Sequence, residues 1–235
     1  MPRLLLTSLT IVATLVGAAV LALLIGRGED TTASGPPSVT TVAPPPVATT
    51  PPVVPAAPAP ARPSRAVGLP YRGRLVRGVQ LPAEGSEFFT WDPILKRSPN
   101  RDWRRWGTDK LLETIQRILT TYRRLHPEAP RVGIGDLSRP HGGDFGPRFG
   151  PPGHASHQNG LDVDVYYPRK DGLERRAYAP SLVDRRLAQD LVDLFVDAGA
   201  QFVFVGPRVG LRGPKRIVQP LRLHDDHLHV RIRKR

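Results

Sequence analysis

Residues 157–167 read His-Gln-Asn-Gly-Leu-Asp-Val-Asp-Val-Tyr-Tyr. From Leu161 onward apolar and acidic side chains alternate, and a period of two marks a strand with unlike faces. Leu161, Val163 and Val165 then point into a core, while Asp162 and Asp164 share the opposite face. Asn159-Gly160 makes a turn easy just before the strand. That turn lets His157 fold back toward the carboxylates.

A second stretch, His224-Asp-Asp-His-Leu-His-Val-Arg231, shows the same period. His227 and His229 share a face, and Leu228, Val230 and Ile232 line the other. The two imidazoles lie roughly 6–7 Å apart along the strand. That spacing suits one metal ligand and one supporting or catalytic group. Asp225 and Asp226 read as solvated, or as partners for imidazole N–H groups. Of seven His residues, five fall in these two clusters: His154, His157, His224, His227 and His229. His141, with Arg139, sits in a Gly/Pro-rich loop and reads as solvated. His126, at a helix end, stands apart.

Side by side, the two strands gather two or three His and one or two Asp at one locus. Cys is absent, which removes thiolate zinc sites, disulfides and thiol nucleophiles. Imidazole and carboxylate suit Zn2+ at about 2.0–2.2 Å, and three protein ligands leave a position for water. Zinc-bound water ionises near neutral pH, which is hydrolase chemistry.

Around these strands the pattern is mixed. Thr108 or Asp109 caps a predicted helix carrying Leu111, Leu112, Ile115, Ile118, Leu119 and Tyr122, and Pro127 and Pro130 stop it. Val132 to Leu137 predicts a short strand, and Arg139 to Gly153 a loop. A second helix is predicted over Ser181 to Ala198, with Ser181 as N-cap and Gly199 as terminator. Gln201 to Val205 predicts a strand, Gly206 to Pro220 a basic loop, and His227 to Ile232 the last strand. Two helices and about four strands in this order predict an α+β fold: a small, mostly antiparallel sheet with flanking helices.

Upstream, residues 31–65 carry eleven Pro between Pro36 and Pro63, no aromatic residue, and no charge before Arg62. Such a stretch reads as a disordered linker reaching on the order of 100 Å. Residues 1–30 read as a signal anchor or signal peptide. The uncharged run Leu4 to Ile25 would span roughly 33 Å as a helix, which favours a membrane anchor at residues 4–25. The folded domain is then 66–235, placed outside the cytoplasm. The net charge of +13 draws the chain toward polyanions, but the basic residues are scattered apart from short runs such as Arg104-Arg105. The export segment argues against nucleic acid as a partner.

His157-x6-Asp164 followed by His227-x-His229 resembles the signature of the LAS metallopeptidases, which include lysostaphin-type enzymes, D-Ala-D-Ala peptidases and the hedgehog signalling domain. Within that group, Gly153-His-Ala-Ser-His-Gln-Asn-Gly-Leu-Asp-Val-Asp164 and His224–Arg231 are most similar to the penicillin-insensitive murein endopeptidases. Gly135-Asp136 before Gly142-Gly143, and Phe202-Val-Phe-Val205, also match. The resemblance implies a LAS/hedgehog-like peptidase fold and zinc ligation by His157, Asp164 and His229. It implies catalytic or site-lining roles for His227, His224 and His154, and hydrolysis of peptide crosslinks in peptidoglycan stems, typically between D-alanine and meso-diaminopimelate. With no serine to acylate, such an enzyme ignores penicillin. In that scheme His227 acts as general base or oxyanion donor, and His227 or His224 protonates the leaving amine. Two rivals are a D-Ala carboxypeptidase on the same fold and an inactive zinc-binding, wall-binding module. The Cys residues of the family are absent here, and the tether and apolar segment are additions.

Overall fold

The computed structural model describes residues 63–234. The expected anchor at 4–25 and nearly all of the Pro-rich linker lie outside the described residues. Among the described residues, no helix is long and apolar enough to cross a membrane.

The elements in chain order are β1 (Arg65–Leu69), β2 (Arg72–Val76), β3 (Val79–Gln80), β4 (Phe88–Thr90), β5 (Trp106–Gly107), α1 (Asp109–Leu125), β6 (Val132–Ile134), β7 (Asp162–Tyr166), α2 (Arg185–Asp197), β8 (Ala200–Val205), β9 (Val218–Pro220) and β10 (His227–Ile232). A six-stranded sheet runs in the order β4-β6-β7-β10-β8-β9. Its inner pairs, β6–β7, β7–β10 and β10–β8, are antiparallel, and its outer pairs, β4–β6 and β8–β9, are parallel. The fold is α+β with a mostly antiparallel sheet, as the pattern predicts. The parallel edges were not foreseen, because Phe88–Thr90 and Val218–Pro220 are too short to show a period.

Helix α1 follows its sequence closely. Thr108 Oγ1 accepts the Leu111 N–H at 3.2 Å, satisfying one of the unpaired donors of the first turn. Leu111, Ile115, Ile118, Leu119 and Tyr122 are all buried along one stripe. Each such side chain contributes roughly 1.5–3 kcal/mol by leaving water.

Helix α2 begins later than expected. Ser181 belongs to a separate 3-10 turn, Pro180–Leu182, and Asp184 is the actual N-cap. The Asp184 carboxylate accepts from both Arg186 N and Leu187 N at 3.1 Å. A charged acceptor at the positive end of the helix outdoes a serine hydroxyl there. Gly199, at φ +79°, ends the helix as anticipated.

Strand β6 stops at Ile134, short of the expected Leu137. Gly135 N donates to Asp164 O, and Asp164 N donates to Asp136 O, so two residues stand opposite one, as at a β-bulge. Arg104 and Arg105, which the sequence shows as a basic run, are buried at 1% and 5% exposure.

The core lies on one side of the central strands. Val163, Val165, Leu228 and Val230 are fully buried and cluster with Leu111, Ile115, Leu191 and Phe195 of the two helices. The alternate residues of β7 and β10 therefore face the other way.

Candidate metal centre

The β7–β10 register decides what that other face holds. His227 pairs with Tyr166, His229 with Asp164, and Arg231 with Asp162. The side chain of Asp164 thus meets His229 across the ladder. His157 arrives from the preceding turn. Its backbone has φ +66°, a left-handed conformation that costs a non-glycine residue roughly 1–2 kcal/mol. Two hydrogen bonds and burial hold it there. His157 N donates to Asp162 Oδ2 at 3.0 Å, Ser138 Oγ donates to His157 O at 2.5 Å, and the ring is fully buried. Gly160, at φ +76°, makes the turn, as the Asn159-Gly160 pair suggests.

The result is a tight triangle of donor atoms. His157 Nε2 lies 3.1 Å from His229 Nδ1 and 3.3 Å from Asp164 Oδ1, and His229 Nδ1 lies 3.2 Å from that same oxygen. Separations of this size are those of ligands sharing one ion at about 2.0–2.2 Å. A looser set overlaps it: His154, His157 and Asp164 offer ligand atoms within 4.8 Å of one another. In that set His154 Nδ1 stands 3.8 Å from Asp164 Oδ2.

Each imidazole of the site is fixed from behind by an acceptor. His157 Nδ1 donates to Leu137 O at 2.6 Å, and His224 Nδ1 to Arg222 O at 2.8 Å. His154 Nε2 is 2.8 Å from Asp136 Oδ2, His227 Nδ1 is 3.0 Å from Asp226 Oδ1, and His229 Nε2 is 3.4 Å from Asp162 Oδ1. An acceptor on one nitrogen places its proton there and leaves the other nitrogen free to accept or ligate. The inner nitrogens of His157 and His229 are those of the triangle. His227 Nε2 is 3.8 Å from Asp164 Oδ1.

The outer acceptors are themselves anchored. Asp162 takes Arg231 Nε at 2.6 Å. Asp136 takes Arg104 Nε at 2.6 Å and Asn100 Nδ2 at 2.9 Å. Asp226 is paired with Arg176. These layers were not evident from sequence spacing. Asp136, Arg104 and Arg176 lie 18 or more residues from the imidazoles they support, directly or through a carboxylate, and of the three only Asp136, within the Gly135-Asp136 match, is marked in the sequence.

The electrostatics match a cation site. Burial alone would raise Asp164, but the neighbouring His157 and His227 hold its carboxyl well below the usual range. Burial pushes His157 down, toward the neutral form that ligates metal. Burial would also lower His229, yet hydrogen bonds to Asp162 and Asp164 outweigh it and raise the group to about 9. Two buried carboxylates beside one ring call for positive charge, and a proton or a metal ion meets that call. His224 is pushed down to about 4, first by burial and then by the adjacent His227.

All six expected site residues thus converge. His154, Asp164, His224, His227 and His229 line one open cleft of about 1310 Å³, with His157 buried behind. Arg139 and His141 do not join them. Arg139 donates to Asp144 O at 2.8 Å and stacks on Phe149, while His141 lends its carbonyl to Leu75 N at 2.9 Å. His126 sits 3.0 Å from Asp190, between the helices.

Comparison with known proteins adds a name. The family model described as penicillin-insensitive murein endopeptidase matches residues 66–203. That range includes His154, His157 and Asp164 and stops before His224. A penicillin-insensitive murein endopeptidase of Pectobacterium atrosepticum is 31% identical over 159 residues, covering 56% of this chain and 54% of its own. One from Yersinia enterocolitica is 28% identical over 195 residues, 72% of this chain and 66% of its own. One from Salmonella heidelberg is 30% identical over 159 residues, 56% of each. The chain therefore spans between about half and two-thirds of the length of these relatives. With a family match over more than half its length, this chain belongs to the penicillin-insensitive murein endopeptidase family.

Proposed function

We propose that this chain is a zinc-dependent endopeptidase that opens peptide crosslinks in bacterial peptidoglycan. One observation carries the metal: the triangle of His157 Nε2, His229 Nδ1 and Asp164 Oδ1, with sides of 3.1–3.3 Å. Family membership and the relatives' names support the substrate class.

His157, Asp164 and His229 would hold the ion, with His154 beside it rather than on it. Zinc in such a site supplies Lewis acidity and a hydrolytic nucleophile at neutral pH. The remaining work belongs to side chains. Leu137 O and Asp162 hold the outer nitrogens, Nδ1 of His157 and Nε2 of His229, and so aim the inner ones at the ion. His227, clamped through Nδ1 by Asp226, presents Nε2 to the same point and suits proton transfer to and from the reacting groups. His224 is neutral at pH 7 and carries its proton on Nδ1, so Nε2 accepts rather than donates. That favours His227 over His224 as the group that protonates the leaving amine. His154, oriented by Asp136, lines the cleft at the Asp164 side.

Residues 1–30 would carry the chain through or into the membrane, 31–65 would act as a spacer, and 66–235 would work on the wall outside the cytoplasm. The decisive experiment digests purified sacculi with the full chain and identifies the muropeptides by mass spectrometry. Crosslinked dimers should become monomers, cleavage should stop with a chelator, and zinc should restore it. Free D-alanine with dimers intact would replace this reading with a carboxypeptidase. Bound zinc with no turnover would replace it with a wall-binding module.

A further inference from the structure

We infer that Arg176 and Arg208 form a clamp for a carboxylate of the substrate peptide, on the cleft wall next to the hydrolytic centre. The inference rests on the endopeptidase reading and deepens it by naming what the cleft selects.

The clamp is built on two consecutive aspartates that precede His227. Asp226 pairs with Arg176 from the loop after β7, and Asp225 takes Arg208 Nε at 2.6 Å from the loop after β8. Asp225 Oδ1 also accepts the Arg208 backbone N–H at 3.0 Å. In both pairs the arginine faces its aspartate through Nε, as a hydrogen bond in Arg208 and as an ion pair without hydrogen-bond geometry in Arg176. A guanidinium has five donors in a planar fork. Pairing through Nε leaves the terminal nitrogens without a hydrogen bond among the described residues, and the Arg176 plane is further set by the Tyr178 ring, 5.4 Å from its guanidinium. Both arginines line the cleft, with side chains 32% and 72% exposed. Two oriented, half-used forks suit bidentate capture of a carboxylate.

The charge balance of the cleft points the same way. Its carboxylates are already spoken for: Asp136 by Arg104, Asp226 by Arg176, Asp225 by Arg208, and Asp164 by the imidazoles. Arg222 lines the same wall and makes no ion pair among the described residues. The uncommitted charge is thus positive, and it attracts acidic peptides and disfavours cationic ones. Because Asp226 also holds His227 at 3.0 Å, a carboxylate seated on Arg176 lies one residue's reach from the group proposed to move protons.

The test uses a crosslinked stem-peptide dimer in two forms, with free carboxylates or with carboxamides flanking the crosslink. The wild-type chain should favour the free acid by about tenfold or more, expressed in KM. Arg208→Gln should erase that preference by raising the KM of the free-acid form to that of the carboxamide form, with an unchanged melting temperature and metal content reporting an intact fold and site. Arg208→Lys should keep part of the preference, and Arg208→Glu should reverse it. An acid-to-amide ratio that these substitutions leave unchanged overturns the clamp, as does a wild-type chain that treats both forms alike. If the wild type cleaves neither form, the endopeptidase reading falls separately. The ratio is then read by fluorescence anisotropy of the labelled peptides on the full chain, where equal affinities would again overturn the clamp.

Discussion

His229 stands directly opposite Asp164 in the β7–β10 ladder, and its Nδ1 lies 3.2 Å from the Asp164 Oδ1. The backbone register thereby sets the side-chain geometry. A slip of one residue would turn His229 and His227 into the core and bring Leu228 and Val230 to the cleft. The buried apolar face guards against that slip, so the packing that stabilises the sheet also holds the candidate centre together.

The proposed ligands should be separable by metal content. His229→Ala and Asp164→Ala are expected to lose the metal and hydrolysis together. His154→Ala should retain the metal and lose activity only. Elemental analysis of the purified variants decides it, and a metal-free His154→Ala beside a metal-loaded His229→Ala would reassign the third ligand.

Asp162 is not itself a corner of the triangle, yet it holds His229 Nε2, the His157 backbone and Arg231. Asp162→Asn should weaken metal affinity or turnover about 10–100-fold without unfolding the chain. Competition with a chromogenic chelator measures the first, and unchanged affinity together with unchanged turnover would argue that Asp162 serves only the fold.

Asp136 gives a pH signature. Burial alone would raise its carboxyl, but hydrogen bonds from His154 and Arg104 hold it far below the usual range. A group depressed in the folded state adds stability that is complete above its unfolded value, about pH 4, and is lost as the pH falls toward the folded value. Asp136→Asn should cost about 3–5 kcal/mol at neutral pH, with the gap to wild type narrowing below about pH 4. Urea titrations across that range report it. A gap independent of pH would count against the ion-pair account.

Leu228 is fully buried on the core face, next in sequence to two cleft histidines. Leu228→Ala should destabilise by about 2–5 kcal/mol and leave metal stoichiometry unchanged in the folded fraction. A loss of metal larger than the loss of folded protein would mean that the two faces are not independent.

Gly142 has φ +67°, and a Cβ there would lie 2.1 Å from Gln158 O and 2.6 Å from Leu75 N. Both are backbone atoms and cannot swing aside. Gly142→Ala should therefore lower the melting temperature by roughly 5–15 °C, reflecting about 2–4 kcal/mol of strain and overpacking. A melt within a degree of wild type would show that this loop relaxes.

Elements with a strong period were legible from residues alone. The alternation in 161–167 and 227–232 and the apolar stripe of α1 appear in the structure nearly as read, because burial of one face leaves a mark on every second or every third to fourth residue. The start of α2 is not fixed by sequence because Ser181 and Asp184 are both good caps; the extended backbone of the buried Val183 breaks the run between them, and Asp184 takes the cap hydrogen bonds. The short edge strands β4 and β9 left no mark at all.

The composition and order of residues by themselves determined which chemistry was available: imidazole and carboxylate without thiol, on alternating strands, beside a core. Tertiary structure alone decided which atoms meet. The pairing of His229 with Asp164, the left-handed turn at His157, and the reach of Asp136 and Arg104 to His154 join residues from 7 to more than 60 positions apart. The reason is physical. Periodicity records which face of an element is buried, whereas donor atoms 3 Å apart on different elements depend on register and on long-range contacts that no local pattern encodes.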